Sequence, residues 1–277
     1  MANPIGAIRQ WWPSDMVGAF GDVNVNIFND QFTIAITKYR NASHKDIDSG
    51  TQEGRELKLA LMKAVPDINN RIGFNAFRDV WDGKSSPWAI AEVFSTMNEF
   101  SDELLAQCDR NPTTFLKWTA AQIRDPSITW QQTYQRIADR AMGLDCNGFA
   151  GNWVRLCDAH VRLGPSMDLT RMGPHLKQTR YARSEFRPGD VLMWGTAHIA
   201  VLDSRSTNGK FWVCQSNGRG PNTTEYSFEF LAYAPDGKTP QYRLAPYVKG
   251  DVGGGCTVYS LWTDGNEPLQ EPVPFID

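Results

Sequence analysis

Apolar residues recur at helical spacing through the first part of this chain, and after residue 159 they give way to short strands. That change of period leaves few architectures open. Asp190–Trp194, His198–Ser204 and Lys210–Ser216 each read as a strand bounded by turn signals such as Arg187-Pro188-Gly189 and Thr207-Asn208-Gly209. Further strand material is expected at Tyr226–Phe230, Tyr242–Leu244 and Val258–Trp262. Upstream, Leu57, Leu61 and Ala64 keep helical spacing until Pro66, and Ser86-Pro87 reads as an N-cap and first helical position of a helix reaching about Asp109. Shorter helices are expected over Thr114–Arg124, Ile128–Met142 and Cys146–Ala159. One hairpin precedes them, with Val23, Val25 and Ile27 on one arm, Phe32, Ile34 and Ile36 on the other, and Asn29-Asp30-Gln31 at the turn. Helices first and antiparallel strands after is the signature of an α+β fold.

A chain of 277 residues holds one large domain or two modest ones. The expected division is an N-terminal region of hairpin and helices, 1–125, packed on a C-terminal region, 126–277. The formal charge of -3 and the lack of a Lys/Arg run argue against a nucleic-acid partner. No stretch reaches the roughly 18 apolar residues that would cross a membrane. The start, MANPIGAIRQWWPSD, lacks a basic segment followed by an apolar one, so no Sec signal is expected. The five cysteines form no CxxC pair, and neither a metal site nor a cofactor is expected. His44 lies in a polar stretch and reads as a surface histidine. Trp11-Trp12 reads as packing against the second half.

Chemistry concentrates in three segments of the second half. Leu144-Asp145-Cys146-Asn147-Gly148-Phe149 stands directly before a helix, where the dipole and unpaired amides favour a thiolate and Gly148 permits close approach of backbone or substrate. In the second segment, Arg187 to Trp194 followed by Gly195-Thr196-Ala197, a histidine, His198, opens the next apolar strand. The third, Phe211 to Gly218, is a strand ending in polar residues that can set an amide beside that histidine. Cys–His hydrolases need such a group to orient the imidazole. Each segment alone is compatible with a purely structural role.

Taken together, with 52 residues from Cys146 to His198, the three segments resemble the NlpC family of papain-like cell-wall cysteine peptidases over roughly residues 130–235. The resemblance implies that Cys146 is the nucleophile, His198 the base and Gln215 the third polar residue, with Asn217 in reserve. It implies substrate contacts at Asp145, which in relatives holds a free amino end, at Asn147, which stands where serine is usual, and at Tyr134, twelve residues before Cys146, where relatives place a tyrosine near the oxyanion. The implied reaction is amide hydrolysis in peptidoglycan stem peptides, often between D-glutamate and the diamino acid.

With no Sec signal expected, the setting implied is an antibacterial effector exported by a dedicated apparatus, such as a type VI system, or a phage lysin. An immunity protein or a component of the secretion apparatus would then be a partner. The alternatives are a cytoplasmic cysteine hydrolase, deamidase or acyltransferase acting on protein or lipid, and a non-catalytic binding module.

Overall fold

The structure is a computed structural model, described over residues 12–28, 30–39, 51–157 and 176–262. His44, Trp11, Asn29 of the hairpin turn and the end of the helix expected to reach Ala159 lie outside these residues. The chain opens with α1 (Pro13–Gly21) and the hairpin β1 (Val23–Ile27) and β2 (Asp30–Ile34). Helices follow as α2 (Gln52–Ala64), α3 (Ile68–Ile72), α4 (Phe74–Trp81), α5 (Pro87–Glu99), α6 (Ser101–Arg110), α7 (Thr114–Arg124), α8 (Trp130–Ala141) and α9 (Cys146–Cys157). The strands β3 (Gln178–Thr179), β4 (Val191–Trp194), β5 (His198–Arg205), β6 (Phe211–Asn217), β7 (Gly220–Tyr233), β8 (Pro240–Ala245) and β9 (Thr257–Ser260) then form one antiparallel sheet in the order β3-β9-β4-β5-β6-β7-β8. This is an α+β architecture.

Local chemistry sets most boundaries. Thr51, Ser86, Thr113 and Thr129 each accept a backbone N–H with the side-chain oxygen at a helix start. The helix expected from Ser86 to Asp109 is two helices. Phe100 leaves helical geometry at φ -112°, ψ 35°, and Ser101-Asp102-Glu103 starts the second one with acidic residues at its positive end. Strand β7 runs 14 residues rather than the expected five, because its first half pairs with β6 and its second with β8. Within its first half, Asn222 to Glu225 are all polar and carry no apolar alternation to reveal this.

The sheet has two faces with separate cores. Val191, Met193, Ile199, Val201 and Cys214 join the large helical core, which extends from Met16 in α1 to Trp262. Leu192, Trp194, Ala200, Leu202, Val213, Tyr226 and Phe228 point the other way, into a smaller aromatic core. The sheet curls around that second core, and Tyr242 of β8 exchanges two backbone hydrogen bonds with Cys256 beside β9, both at 2.8 Å. A bulge in β5 at Asp203 aims its carboxylate at the N-terminus of α1, where it accepts the Ser14 amide at 2.8 Å. Helix α8 packs on α2, α7 and β2, and Leu144, just before α9, accepts a hydrogen bond from Ser216 of β6.

Candidate active site

The three segments singled out in the sequence converge where α9 begins. Strand β6 stays paired with β7 out to Asn217↔Gly220, whereas the β5–β6 register stops at Val201↔Cys214. Beyond that point the segment leading into α9 is joined to both strands. Ser216 Oγ donates to the Leu144 carbonyl at 2.7 Å, and the Ile199 N–H donates to the sulfur of Cys146. The nucleophile candidate is thus bonded to the residue that follows His198. Among the described residues no direct hydrogen bond joins Cys146 to His198.

His198 Nε2 lies 2.8 Å from Gln215 Oε1. Two-residue alternation puts Gln215 with Val213 and His198 with Ala200, all on the side of the smaller core. Cys214 turns to the helical core and bonds Thr223 at 3.2 Å. Asn217 stays close by without touching the imidazole, its amide donating to Asp251 Oδ1 at 3.0 Å. The Trp194 ring stands 5.2 Å from the imidazole. A cavity of about 70 Å³ opens beside Trp194, Gln215 and Asp251.

Asp145 caps α9 by accepting the backbone N–H groups of Asn147 and Gly148. Its other oxygen is bonded to the ammonium of Lys84, and the pair is almost fully buried. A substrate amine is therefore not needed to satisfy this carboxylate. The Asp145 N–H donates to the Gly83 carbonyl at 2.7 Å, and Asn152 donates to the carbonyls of Lys84 and Ser85 at 3.1 and 2.9 Å. A side chain at position 148 would collide with the Gly83 carbonyl oxygen and the Lys84 backbone. The close approach that Gly148 permits is thus to backbone of the helical half rather than to substrate.

Two further sequence expectations change place. Asn147 is buried in the first turn of α9, and its backbone serves the cap. Tyr134 lies in α8 within the helical core, its ring 5.0 Å from Phe94 and 5.4 Å from Trp130. The tyrosine at Cys146 is Tyr39, whose hydroxyl is 4.0 Å from the sulfur. It arrives through a parallel bridge between Tyr39 and Leu144, with the Leu144 N–H donating to Lys38 at 2.9 Å. Sequence reasoning missed Tyr39, Lys84 and Asp251. None belongs to a motif, and each comes from a distant loop.

Burial dominates the electrostatics. It pushes the Cys146 thiol up, and the charge of Asp145 adds to the effect. The Ile199 amide, the Tyr39 hydroxyl and the Lys84 ammonium oppose it without cancelling it. Burial lowers His198 from 6.5 to about 4, against the raising effects of Gln215 and Asp251. Both shifts favour the uncharged forms, a thiol and a neutral imidazole. Desolvation thus opposes the thiolate expected from the helix terminus. No group of three or more His, Cys, Asp or Glu side chains suited to a metal ion occurs among the described residues. No helix among them is long and apolar enough to cross a membrane. Compared with known proteins, the chain matches no family model, no curated protein and no solved structure.

Proposed function

We propose that this chain is a papain-like cysteine hydrolase of the NlpC type that cleaves an amide bond in peptidoglycan stem peptides. The observation that carries the reading is the site itself: a cysteine at a helix N-terminus, bonded to the backbone of the strand that opens with a buried, amide-held histidine. In this mechanism the neutral imidazole of His198 takes the Cys146 proton as the sulfur attacks the carbonyl carbon. The tetrahedral oxyanion is stabilised by the Cys146 N–H, the donor that the Asp145 cap leaves over at the start of α9, and by the Tyr39 hydroxyl. The imidazolium returns its proton to the leaving amine. Water, deprotonated by His198, then hydrolyses the thioester and restores the thiol. No metal or cofactor takes part.

The setting follows the sequence expectation of an exported antibacterial effector or lysin, with an immunity protein or secretion component as partner. A second reading, a hydrolase or acyltransferase acting on protein side chains or lipid, draws support from Lys84. A carboxylate already paired to the protein's own ammonium does not select substrates with a free amino end. The test is digestion of purified muropeptides by the full chain, with products sized by mass spectrometry. Cleavage by the wild type and none by Cys146→Ala is expected. Intact muropeptides after prolonged incubation with the wild type would overturn the peptidoglycan reading.

A further inference from the structure

Gln215 cannot choose its orientation freely, and the reason lies in a loop that no motif marks. Its amide nitrogen is 3.3 Å from the Tyr226 hydroxyl and 3.5 Å from Asp251 Oδ1. The Tyr226 hydroxyl in turn donates to the same Asp251 oxygen at 2.8 Å. The Asp251 side chain is 7% exposed, with its Oδ2 accepting the Val248 N–H at 2.9 Å, and the Asp251 N–H donates to the Val248 carbonyl at 2.9 Å. Asn217 and Arg219 also donate to Oδ1, at 3.0 and 3.2 Å.

An ionised carboxylate only accepts. The Tyr226 hydroxyl therefore spends its single hydrogen on Asp251 and offers Gln215 an oxygen lone pair. The Gln215 NH2 must face that oxygen and the carboxylate, since the flipped amide would set its carbonyl against two acceptors. Oε1 is thereby turned to His198, and a carbonyl oxygen requires a donor there. We propose that Asp251 is a positioning residue which, through Tyr226 and Gln215, holds His198 in the Nε2–H tautomer and leaves Nδ1 bare as the base.

The proposal rests on the reading of His198 as general base, but its test separates the two. Long-range 1H–15N spectra of the full chain report the imidazole tautomer without any substrate, with the His198 signals identified by their loss in His198→Gln. The wild type is expected to show Nε2–H and an unprotonated Nδ1. Asparagine at 251 presents an NH2 as readily as a carbonyl, so Asp251→Asn should give a mixture of tautomers, and Asp251→Glu, again acceptor-only, should restore the wild-type signal. Tyr226→Phe removes the bridge while keeping the ring, and should shift the ratio part of the way even if Asp251→Asn fails to fold. An Nδ1–H wild type, or an unchanged tautomer in a folded Asp251→Asn or Tyr226→Phe, overturns the proposal. With a cleaved muropeptide, Asp251→Asn should lower kcat roughly 10–100-fold at constant KM, within what a general base contributes. A wild type that holds the Nε2–H tautomer yet cleaves nothing would sink the hydrolase reading and leave this one standing.

Discussion

Two carboxylates flank the site, Asp145 on the Cys146 side and Asp251 on the His198 side, and the protein satisfies them by different means. Asp145 meets a full cation, Lys84, carried by the loop between α4 and α5. Asp251 collects a tyrosine hydroxyl, two side-chain amides and a backbone N–H, with only the partly exposed Arg219 bringing charge. The first arrangement is ionic and joins the helical half to the start of α9 at Cys146. The second is largely neutral and directional, and stays within the sheet half. A buried ion pair depends on both partners, because either one alone is an uncompensated charge in a poor solvent. A chain of neutral hydrogen bonds loses orientation rather than charge when one link is cut.

The sharpest way to break this contrast is Lys84→Met. It leaves the Asp145 carboxylate buried without its cation, and should cost about 3–5 kcal/mol of stability at neutral pH by chemical denaturation. Because burial holds the Asp145 carboxyl above its ordinary range, the loss should shrink as pH falls and the group protonates. Adding Asp145→Asn should recover most of it. A single Lys84→Met as stable as wild type would show that the pair does not join the two halves.

On the other flank, the folded-state value of about 4 for His198 lies below its ordinary 6.5. The stability associated with the neutral imidazole is then complete above pH 6.5 and is lost as pH falls toward 4, by roughly 3 kcal/mol relative to a His198→Gln variant. Asp190, pushed up to about 6 by burial, has the opposite dependence, but it is common to both proteins and cancels in the difference. Parallel stability curves for wild type and variant across that window would contradict the burial argument.

The smallest effect separates two tyrosines. Tyr39→Phe removes a hydroxyl donor from the sulfur and should lower turnover on the order of 100-fold, the loss typical of one oxyanion donor. Tyr134→Phe, in the helical core, should leave turnover unchanged. Equal turnover losses in the two variants would return Tyr134 to the site.

What the sequence by itself determined is the part written in neighbouring residues. Period and turn signals located most of the helices and the strands from β4 to β6. Strand alternation separated Gln215 from Cys214. The motif segments placed Cys146 at a helix start and His198 at a strand start. What only the tertiary structure decided is what meets these groups from afar. Lys84 reads as an ordinary loop lysine and Tyr39 as a residue trailing a hairpin. Asp251, beside Gly250, reads as a turn aspartate. Sequence spacing carries no information about such pairings, because the packing of the helical layer on the sheet and the curl of the sheet bring them together. The charge states followed the same rule. A helix terminus predicts a thiolate, but the depth at which Cys146 and His198 end up decides the balance, and depth is a property of the folded whole.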